Sequence, residues 1–186
     1  IRRACASLRR PFTVLDLGAS EGYFSIRLTE EFGARCVAVD ARDVVKSAEP
    51  FVASVVRQSV TPAIVHKLGT YDVVLGLSFL HHVLGWRKML DQIVRSARSL
   101  AIIETPHPEE KLRQALNRDQ LGDIQDTLEE WGFERQEGGA SGVWDSHLQR
   151  GMYIRRRDGA LVEGVVRSGS GNNSVNVTRF KDEVTK

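Results

Sequence analysis

The alternation of short apolar runs with longer amphipathic stretches most constrains how this chain can fold. Five runs rich in Val, Ile and Leu occupy residues 12–17, 35–40, 51–58, 71–77 and 99–105. Nearly continuous apolar runs are typical of strands covered on both faces, as in parallel sheets. Between and after them, residues 86–97 and 109–131 carry apolar side chains at spacings of three and four, which predicts two surface helices.

Two later segments extend this pattern. Residues 133–138 and 151–157 predict strands, separated by a loop from Gly138 to Arg150. The predicted fold is therefore α/β: a Rossmann-like, doubly wound, mostly parallel sheet of about seven strands with helices on both faces. Ligands of such sheets bind at the carboxyl ends of the strands. We assign residues 1–158 to this domain and 159–186, rich in Gly, Ser and Asn, to a polar tail that is flexible or forms a short hairpin.

The composition excludes several classes of protein. The 186 residues carry a net charge of +2, so bulk attraction to nucleic acid is not indicated. Local arginine clusters at residues 2–10 and 155–157 predict a solvated basic surface, with a phosphate-binding patch as the alternative. Two cysteines give neither a disulfide framework nor a metal spacing. No apolar run approaches the ~20 residues of a membrane span, so we expect no membrane span, no metal and a cytoplasmic location.

The first strand ends in a glycine turn, VLDLGASEGYFS, which suggests a nucleotide site. A dinucleotide-binding turn needs Gly-x-Gly-x-x-Gly, so that a pyrophosphate can approach the helix N-terminus. Counting from Gly18, the second and third glycines are replaced by Ser20 and Tyr23. The sequence therefore argues against a nicotinamide-dependent reductase.

The segment Asp16-Leu17-Gly18-Ala19-Ser20-Glu21-Gly22 resembles motif I of class I methyltransferases that use S-adenosylmethionine. In that family an acidic residue ends strand one, glycines follow, and a second acidic residue ends strand two, where this chain has Asp40. The donor carries an ammonium group and a ribose, and no phosphate. The resemblance implies that Asp16 serves the ammonium side and that Asp40 accepts hydrogen bonds from both ribose hydroxyls.

The same resemblance implies the rest of the cofactor site. Gly18 and Gly22 would let the backbone approach the ligand, and Ser20 replaces a glycine on the expectation that the turn needs no positive φ there. Gln58 and Ser59, after strand three, fall where the family contacts adenine. The predicted cofactor-binding residues are Asp16, Gly18, Ala19, Ser20, Gly22, Tyr23, Phe24, Asp40, Ala41, Gln58, Ser59, Leu77 and Ser78.

Candidate catalytic residues follow strand four and precede the last strand. The segment YDVVLGLSFLHHV resembles the family's motif IV, and His81 and His82 lie just beyond its strand. A histidine suits an acceptor that must lose a proton, because its ordinary pKa is close to neutral. Neighbours on a helix point about 100° apart, so at most one of the two faces the pocket. His147, in a loop with Asp145 and Arg150, is the third candidate base.

The loop WDSHLQRGMYI, taken with LGLSFLHHV and AIIETPHPEE, resembles the methyltransferase domain of bacterial enzymes that terminate O-antigen polysaccharide chains, which methylate a sugar hydroxyl or a terminal phosphate. The sequence predicts an S-adenosylmethionine-dependent methyltransferase that acts on an oxygen of a small-molecule or saccharide acceptor. Two alternatives stay open: an RNA- or tRNA-modifying methyltransferase, favoured by the arginine clusters, and a cofactor-binding subunit without turnover. The sequence identifies neither the acceptor nor the oligomeric state.

Overall fold

The computed structural model describes residues 1–112, 114–136 and 147–157, which form one seven-stranded sheet flanked by helices. The order of strands is β3-β2-β1-β4-β5-β7-β6. Strands β1 to β5 pair in parallel, and β7 is antiparallel to both β5 and β6. The strands are β1 (Thr13–Leu17), β2 (Arg35–Asp40), β3 (Ser54–Arg57), β4 (Tyr71–Leu77), β5 (Ala97–Thr105), β6 (Glu134–Gln136) and β7 (Gly151–Arg156). The predicted doubly wound fold is confirmed.

Five α-helices lie among these strands. They are α1 (Arg2–Cys5), α2 (Tyr23–Phe32), α3 (Pro62–Leu68), α4 (Trp86–Ser96) and α5 (Leu121–Glu130). Short 3₁₀ segments occupy Asp43–Ala48, Leu80–His82 and Arg118–Gln120. In the described part of the chain, no helix has both the length and the apolar character to cross a membrane.

The core has two layers, one on each face of the sheet. Alternate residues of a strand point to opposite faces, so Leu15 and Leu17 belong to one apolar cluster and Val14 to the other. The first cluster packs against α3, α4 and α5, and the second against α1 and α2. Burial on both faces explains why β1, β2 and β4 read as continuous apolar runs.

Strand order reverses between β2 and β4, which lie on either side of β1. Parallel strands that diverge from this point leave a crevice at their carboxyl ends. The carboxyl ends of β1, β2 and β4 are Leu17, Asp40 and Leu77. The fold therefore brings the two predicted motifs to the same edge of the sheet.

The single helix predicted over residues 109–131 is wrong in its first half, because α5 begins only at Leu121. The amide groups of Leu116 and Asn117 donate to the carbonyl of His81, at 3.0 and 3.1 Å, instead of to carbonyls of a helix. The Asn117 side chain donates to the carbonyls of Leu80 and Val83. Tertiary hydrogen bonds thus replace the helical ones, and Leu116, predicted to face the core, is 60% exposed.

Two smaller differences concern β3 and α2. Strand β3 covers four residues rather than the eight predicted, because residues 51–53 form a turn. The spacing of Phe24, Leu28 and Phe32 predicts that these three face the core from one helix; on α2, Leu28 and Phe32 do so, but Ser25 takes the inward position instead of Phe24. The predicted tail, residues 159–186, lies outside the described residues, and the domain boundary stays a prediction.

Candidate active site

The turn between β1 and α2 is built from residues in the left-handed region. Gly18, Ser20 and Gly22 have φ values of 71°, 53° and 78°. The amides of Gly18 and Ala19 both donate to the carbonyl of Val39, at 2.9 and 3.0 Å, which ties the turn to the end of β2. The expectation that Ser20 needs no positive φ is wrong: this serine holds a conformation that costs about 1–2 kcal/mol for an L-residue.

The glycines of this turn are also required by packing. A Cβ atom on Gly18 would lie 2.8 Å from the ring of Phe79, and one on Gly22 would lie 2.5 Å from the Cβ of Ala48. Real Cβ contacts are not this short, so neither position accepts a side chain without movement. The Gly18–Phe79 contact joins the turn after β1 to the segment after β4.

Asp16 is a buried carboxylate with a raised pKa. Its Oδ2 accepts a hydrogen bond of 2.8 Å from the hydroxyl of Ser25 on α2. Burial raises the pKa of Asp16 to about 6; hydrogen bonds from Ser25 oppose this shift, and the nearby charge of Asp40 adds to it. A carboxylate desolvated in this way is stabilised in its ionised form by any cation that approaches it.

Asp40 is held differently, as a buried anion that accepts hydrogen bonds from four donors. Its Oδ2 accepts from the Ser20 amide at 2.9 Å and from Arg42 Nη2 at 3.1 Å. Its Oδ1 accepts from the amide and the Nε of Arg42, at 2.9 and 3.0 Å. Burial tends to raise the pKa of Asp40, but the bonds from Arg42 and Ser20 outweigh it and hold that pKa below its usual range. Asp40 is therefore ionised at neutral pH.

The remaining predicted cofactor residues lie around these two aspartates with various exposures. Ala41, Gln58 and Ser59 are exposed, and the amide of Gln58 donates to the carbonyl of Asp40 at 2.9 Å. Tyr23 and Phe24 form an edge-to-face pair on the solvent side of α2, with ring centroids 5.2 Å apart. Leu77 and Ser78, at the end of β4, are partly buried. All of them lie at or after the carboxyl ends of β1, β2, β3 or β4.

A polar cluster lies beside this turn, at the carboxyl ends of β4 and β5. The Ser78 hydroxyl donates to Glu104 Oε1 at 2.6 Å. Arg150 lies 3.4 Å from the same oxygen and also donates to Ser78 Oγ. Its guanidinium further donates to both oxygens of Glu110, at 2.6 and 3.0 Å. Ser78 has a φ of 49°, and backbone strain of this kind in a non-glycine residue clusters at functional sites.

The three predicted histidines occupy different environments. His81 is buried, and no partner of its Nδ1 is found among the described residues. Burial, with the positive charges of His82 and Arg150, lowers the pKa of His81 to about 3, so its imidazole is neutral at pH 7. His82 is exposed, and its Nδ1 lies 3.2 Å from the carbonyl of Gln114. His147 is exposed, three residues before Arg150, while Asp145 lies outside the described residues.

Several residues of the site are absent from the sequence prediction. One feature of the sequence could have identified Ser25 as a site residue, since it is a polar residue on the apolar side of α2. No such feature identifies Glu110, because it stands in a stretch that predicts a helix. Arg42 follows Asp40 by two residues, and sequence alone does not reveal that its side chain turns back onto that carboxylate.

A doubly wound sheet, with two aspartates and a turn of positive φ at its switch point, is the arrangement that motif I predicts for a Rossmann-like methyltransferase. A sequence model described as a methyltransferase domain matches residues 1–150. The chain belongs to this family of methyltransferase domains, and the enzyme class predicted from motif I is confirmed.

Individual relatives agree with this assignment. The O-antigen chain terminator bifunctional methyltransferase/kinase WbdD of Escherichia coli is 29% identical in an alignment of length 166 that covers 80% of this chain. The chain spans only 22% of the length of that relative. Two solved structures share the fold alone, at low identity. Magnesium protoporphyrin IX methyltransferase of Synechocystis PCC 6803 with bound SAM has a TM-score of 0.58 and 18% identity, covering 79% of this chain and 70% of its own. An O-methyltransferase family protein of Burkholderia thailandensis has a TM-score of 0.56 and 16% identity, covering 80% and 51%.

Proposed function

We propose that this chain transfers the methyl group of S-adenosylmethionine to an oxygen atom of a small-molecule or saccharide acceptor. The observation that supports S-adenosylmethionine as the donor is the pair of aspartates at the ends of two adjacent strands. Asp16 is a buried carboxylate that favours a cationic neighbour, and Asp40 is an ionised acceptor beside a turn with three residues at positive φ. This pair suits a ligand with an ammonium group and a hydroxylated sugar.

The residues of the turn hold the donor in this proposal. Asp16 binds the ammonium side, and Asp40 accepts from the ribose hydroxyls. Gly18 and Gly22 leave the backbone unshielded, while Gln58 and Ser59, next to Asp40, contact the adenine. When bound, S-adenosylmethionine would supply a methyl group on its sulfonium: the acceptor oxygen would bond to the methyl carbon as the carbon–sulfur bond breaks, S-adenosylhomocysteine would leave, and the proton of the acceptor would pass to a base.

Two observations support an oxygen acceptor. The cluster of Ser78, Glu104, Glu110 and Arg150 places hydroxyl, carboxylate and guanidinium groups at the strand ends next to the donor residues. Such groups pair with the hydroxyls of a polar acceptor. The comparisons support the same kind of acceptor, since the Escherichia coli relative is an O-antigen chain terminator and the structural neighbour of Burkholderia thailandensis is an O-methyltransferase family protein.

The proton of the acceptor needs a base. His81 is ill suited to this role because a group with a pKa of about 3 holds a proton only weakly at neutral pH. His82 and His147 are the remaining predicted bases, and His147 lies on the same segment as Arg150. We assign the role to His147, and we expect His147→Asn to lower kcat while donor binding is kept.

Calorimetry tests the donor half of the proposal. The wild-type chain should bind S-adenosylhomocysteine, and Asp40→Ala should weaken this binding at least tenfold because the ribose loses its carboxylate partner. Asp119→Asn, at an exposed aspartate in the 3₁₀ segment before α5, is the matched control and should bind normally. Unchanged binding in Asp40→Ala would overturn the donor site.

A labelled-methyl experiment tests the acceptor half. The chain is incubated with S-adenosylmethionine labelled in its methyl group and with a cell extract separated into saccharide, small-molecule and RNA fractions. Label in the saccharide or small-molecule fraction, released under conditions that cleave methyl ethers or esters but not N-methyl groups, is the expected result. Label confined to RNA would replace this proposal by an RNA-modifying enzyme. Donor binding without any labelled product would indicate a subunit without turnover.

A further inference from the structure

The hydrogen-bonding capacity of Asp40 is already full. A carboxylate offers about four acceptor positions, and Asp40 uses four: two accept from the amides of Ser20 and Arg42, and two accept from the Nε and Nη2 of the Arg42 side chain. The two amides belong to the backbone and stay in place. Only the two bonds from the guanidinium can be given up without moving the chain.

A vicinal diol donates two hydrogen bonds, the same number that the Arg42 guanidinium supplies. We propose that Arg42 is a competing internal ligand of Asp40, whose side chain leaves as the ribose diol of the donor binds. The inference rests on the proposed function, since it takes Asp40 as the ribose acceptor. Arg42 then acts as a positioning residue that sets donor affinity by competition.

The surroundings of Arg42 allow this exchange. Its side chain is 64% exposed, so it moves into solvent without breaking core packing. The charge of Glu21, in the turn between β1 and α2, also attracts the guanidinium and raises its pKa, though less than Asp40 does. The released side chain therefore keeps an anionic neighbour.

The pair also holds Asp40 ready for the ligand. While Arg42 is bound, the carboxylate is ionised and oriented by two amides that the ligand leaves undisturbed. The ribose thus meets a carboxylate already in place, at the cost of displacing one ion pair between an exposed arginine and a buried aspartate. Because the guanidinium is solvated both before and after the exchange, we expect a net cost near that of an exposed pair, about 0.2–1 kcal/mol, which corresponds to a change of up to about fivefold in affinity.

Calorimetry with S-adenosylhomocysteine tests the exchange. Arg42→Ala should bind this ligand about two- to fivefold more tightly than wild type, because the ribose then meets no competitor. Arg57→Ala is the matched control: Arg57 lies directly across from Asp40 on β3, is similarly exposed and pairs instead with Asp43 at 2.8 Å. Its affinity should match wild type. Arg42→Ala binding as wild type does, or more weakly, would overturn the inference.

A double-mutant cycle locates the effect at Asp40. In an Asp40→Asn background the guanidinium has lost its charged partner, so Arg42→Ala should change affinity much less than in the wild type. An equal gain in both backgrounds would show that Arg42 acts elsewhere and would overturn the exchange. If the wild type binds S-adenosylhomocysteine and Arg42→Ala binds it no more tightly, the exchange is rejected and the proposed function stands. Wild type that does not bind the ligand rejects the proposed function and the exchange together.

Discussion

At the scale of single residues, Asp16 combines a role in ligand binding with a cost to stability. Its pKa is raised from 3.8 to about 6, chiefly by burial. Because the folded-state pKa lies above the unfolded value, the ionised carboxylate destabilises the fold. This destabilisation is absent below about pH 4, grows between pH 4 and 6, and is complete above about pH 6.

We predict that Asp16→Asn is more stable than wild type at pH 8, by an amount on the order of 2–3 kcal/mol, and that the difference shrinks towards pH 4. The asparagine carbonyl oxygen still accepts from Ser25, so packing is kept. Urea unfolding of both chains at pH 4.5 and 8 measures this, with Asp119→Asn as an exposed control. A variant equally or less stable than wild type at pH 8 would contradict it. The same variant should bind S-adenosylhomocysteine weakly.

The sequence predicted the site residues that belong to a recognisable motif, but not the side chains that hydrogen-bond to them. Asp16 and Asp40 stand at the ends of apolar runs, and their position follows from strand order alone. The partners Ser25 and Arg42 reach them through side-chain directions that a one-dimensional pattern does not encode. Ser20 was predicted in its place but with the wrong backbone conformation, since nothing in the sequence reports a positive φ in a non-glycine residue.

At the scale of elements, α2 is flanked by two glycines with positive φ, Gly22 before it and Gly33 after it, and their surroundings differ. A Cβ on Gly22 would lie 2.5 Å from Ala48, whereas a Cβ on Gly33 would meet nothing within 4 Å. Gly33→Ala should therefore lower the free energy of unfolding by only about 1 kcal/mol, because alanine disfavours a positive φ. Gly22→Ala should lose about 1–3 kcal/mol more, from the added steric overlap. Thermal unfolding compares the two variants, and equal losses would contradict this assignment.

The helices and strands were predicted correctly where burial alone determines the pattern of apolar residues. Strands β2 and β4 match their apolar runs, since both faces of a central strand are covered and the pattern is unambiguous. The prediction failed over residues 109–120, where the sequence has an amphipathic spacing but Asn117 and its neighbours bond to the segment around His81. Helical periodicity is a local signal, and these competing partners come from more than 30 residues earlier in the chain.

At the scale of the whole molecule, Arg150 joins three separate segments. It bonds to Ser78 after β4, lies beside Glu104 at the end of β5, and bonds to Glu110 in the connection to α5. The side chains of Arg150 and Glu104 are each 10% exposed and that of Glu110 is fully buried. Arg150 therefore compensates part of the charge of two buried acids.

We predict that Arg150→Met destabilises the chain by about 3–5 kcal/mol, because it removes the positive charge and the hydrogen bonds that Arg150 supplies to two buried carboxylates. Arg95→Met is the control: Arg95 forms an exposed pair with Asp91, 2.7 Å away within α4, and its loss should cost less than about 1 kcal/mol. Urea unfolding at pH 7 measures both. If Arg150→Met lowers the free energy of unfolding no more than Arg95→Met does, the cluster does not hold the three segments together.

The position of β7 has a consequence for the order in which the molecule is assembled during synthesis. Strands β1 to β4, with Asp16 and Asp40, are complete once residue 77 has been made, whereas β7, between β5 and β6, is made last of the seven. Strand β6 pairs only with β7 in the described sheet, so it waits for a strand that leaves the ribosome after it. The donor half can therefore fold on the nascent chain before the cluster around Arg150 forms, since domains fold progressively from their N-termini.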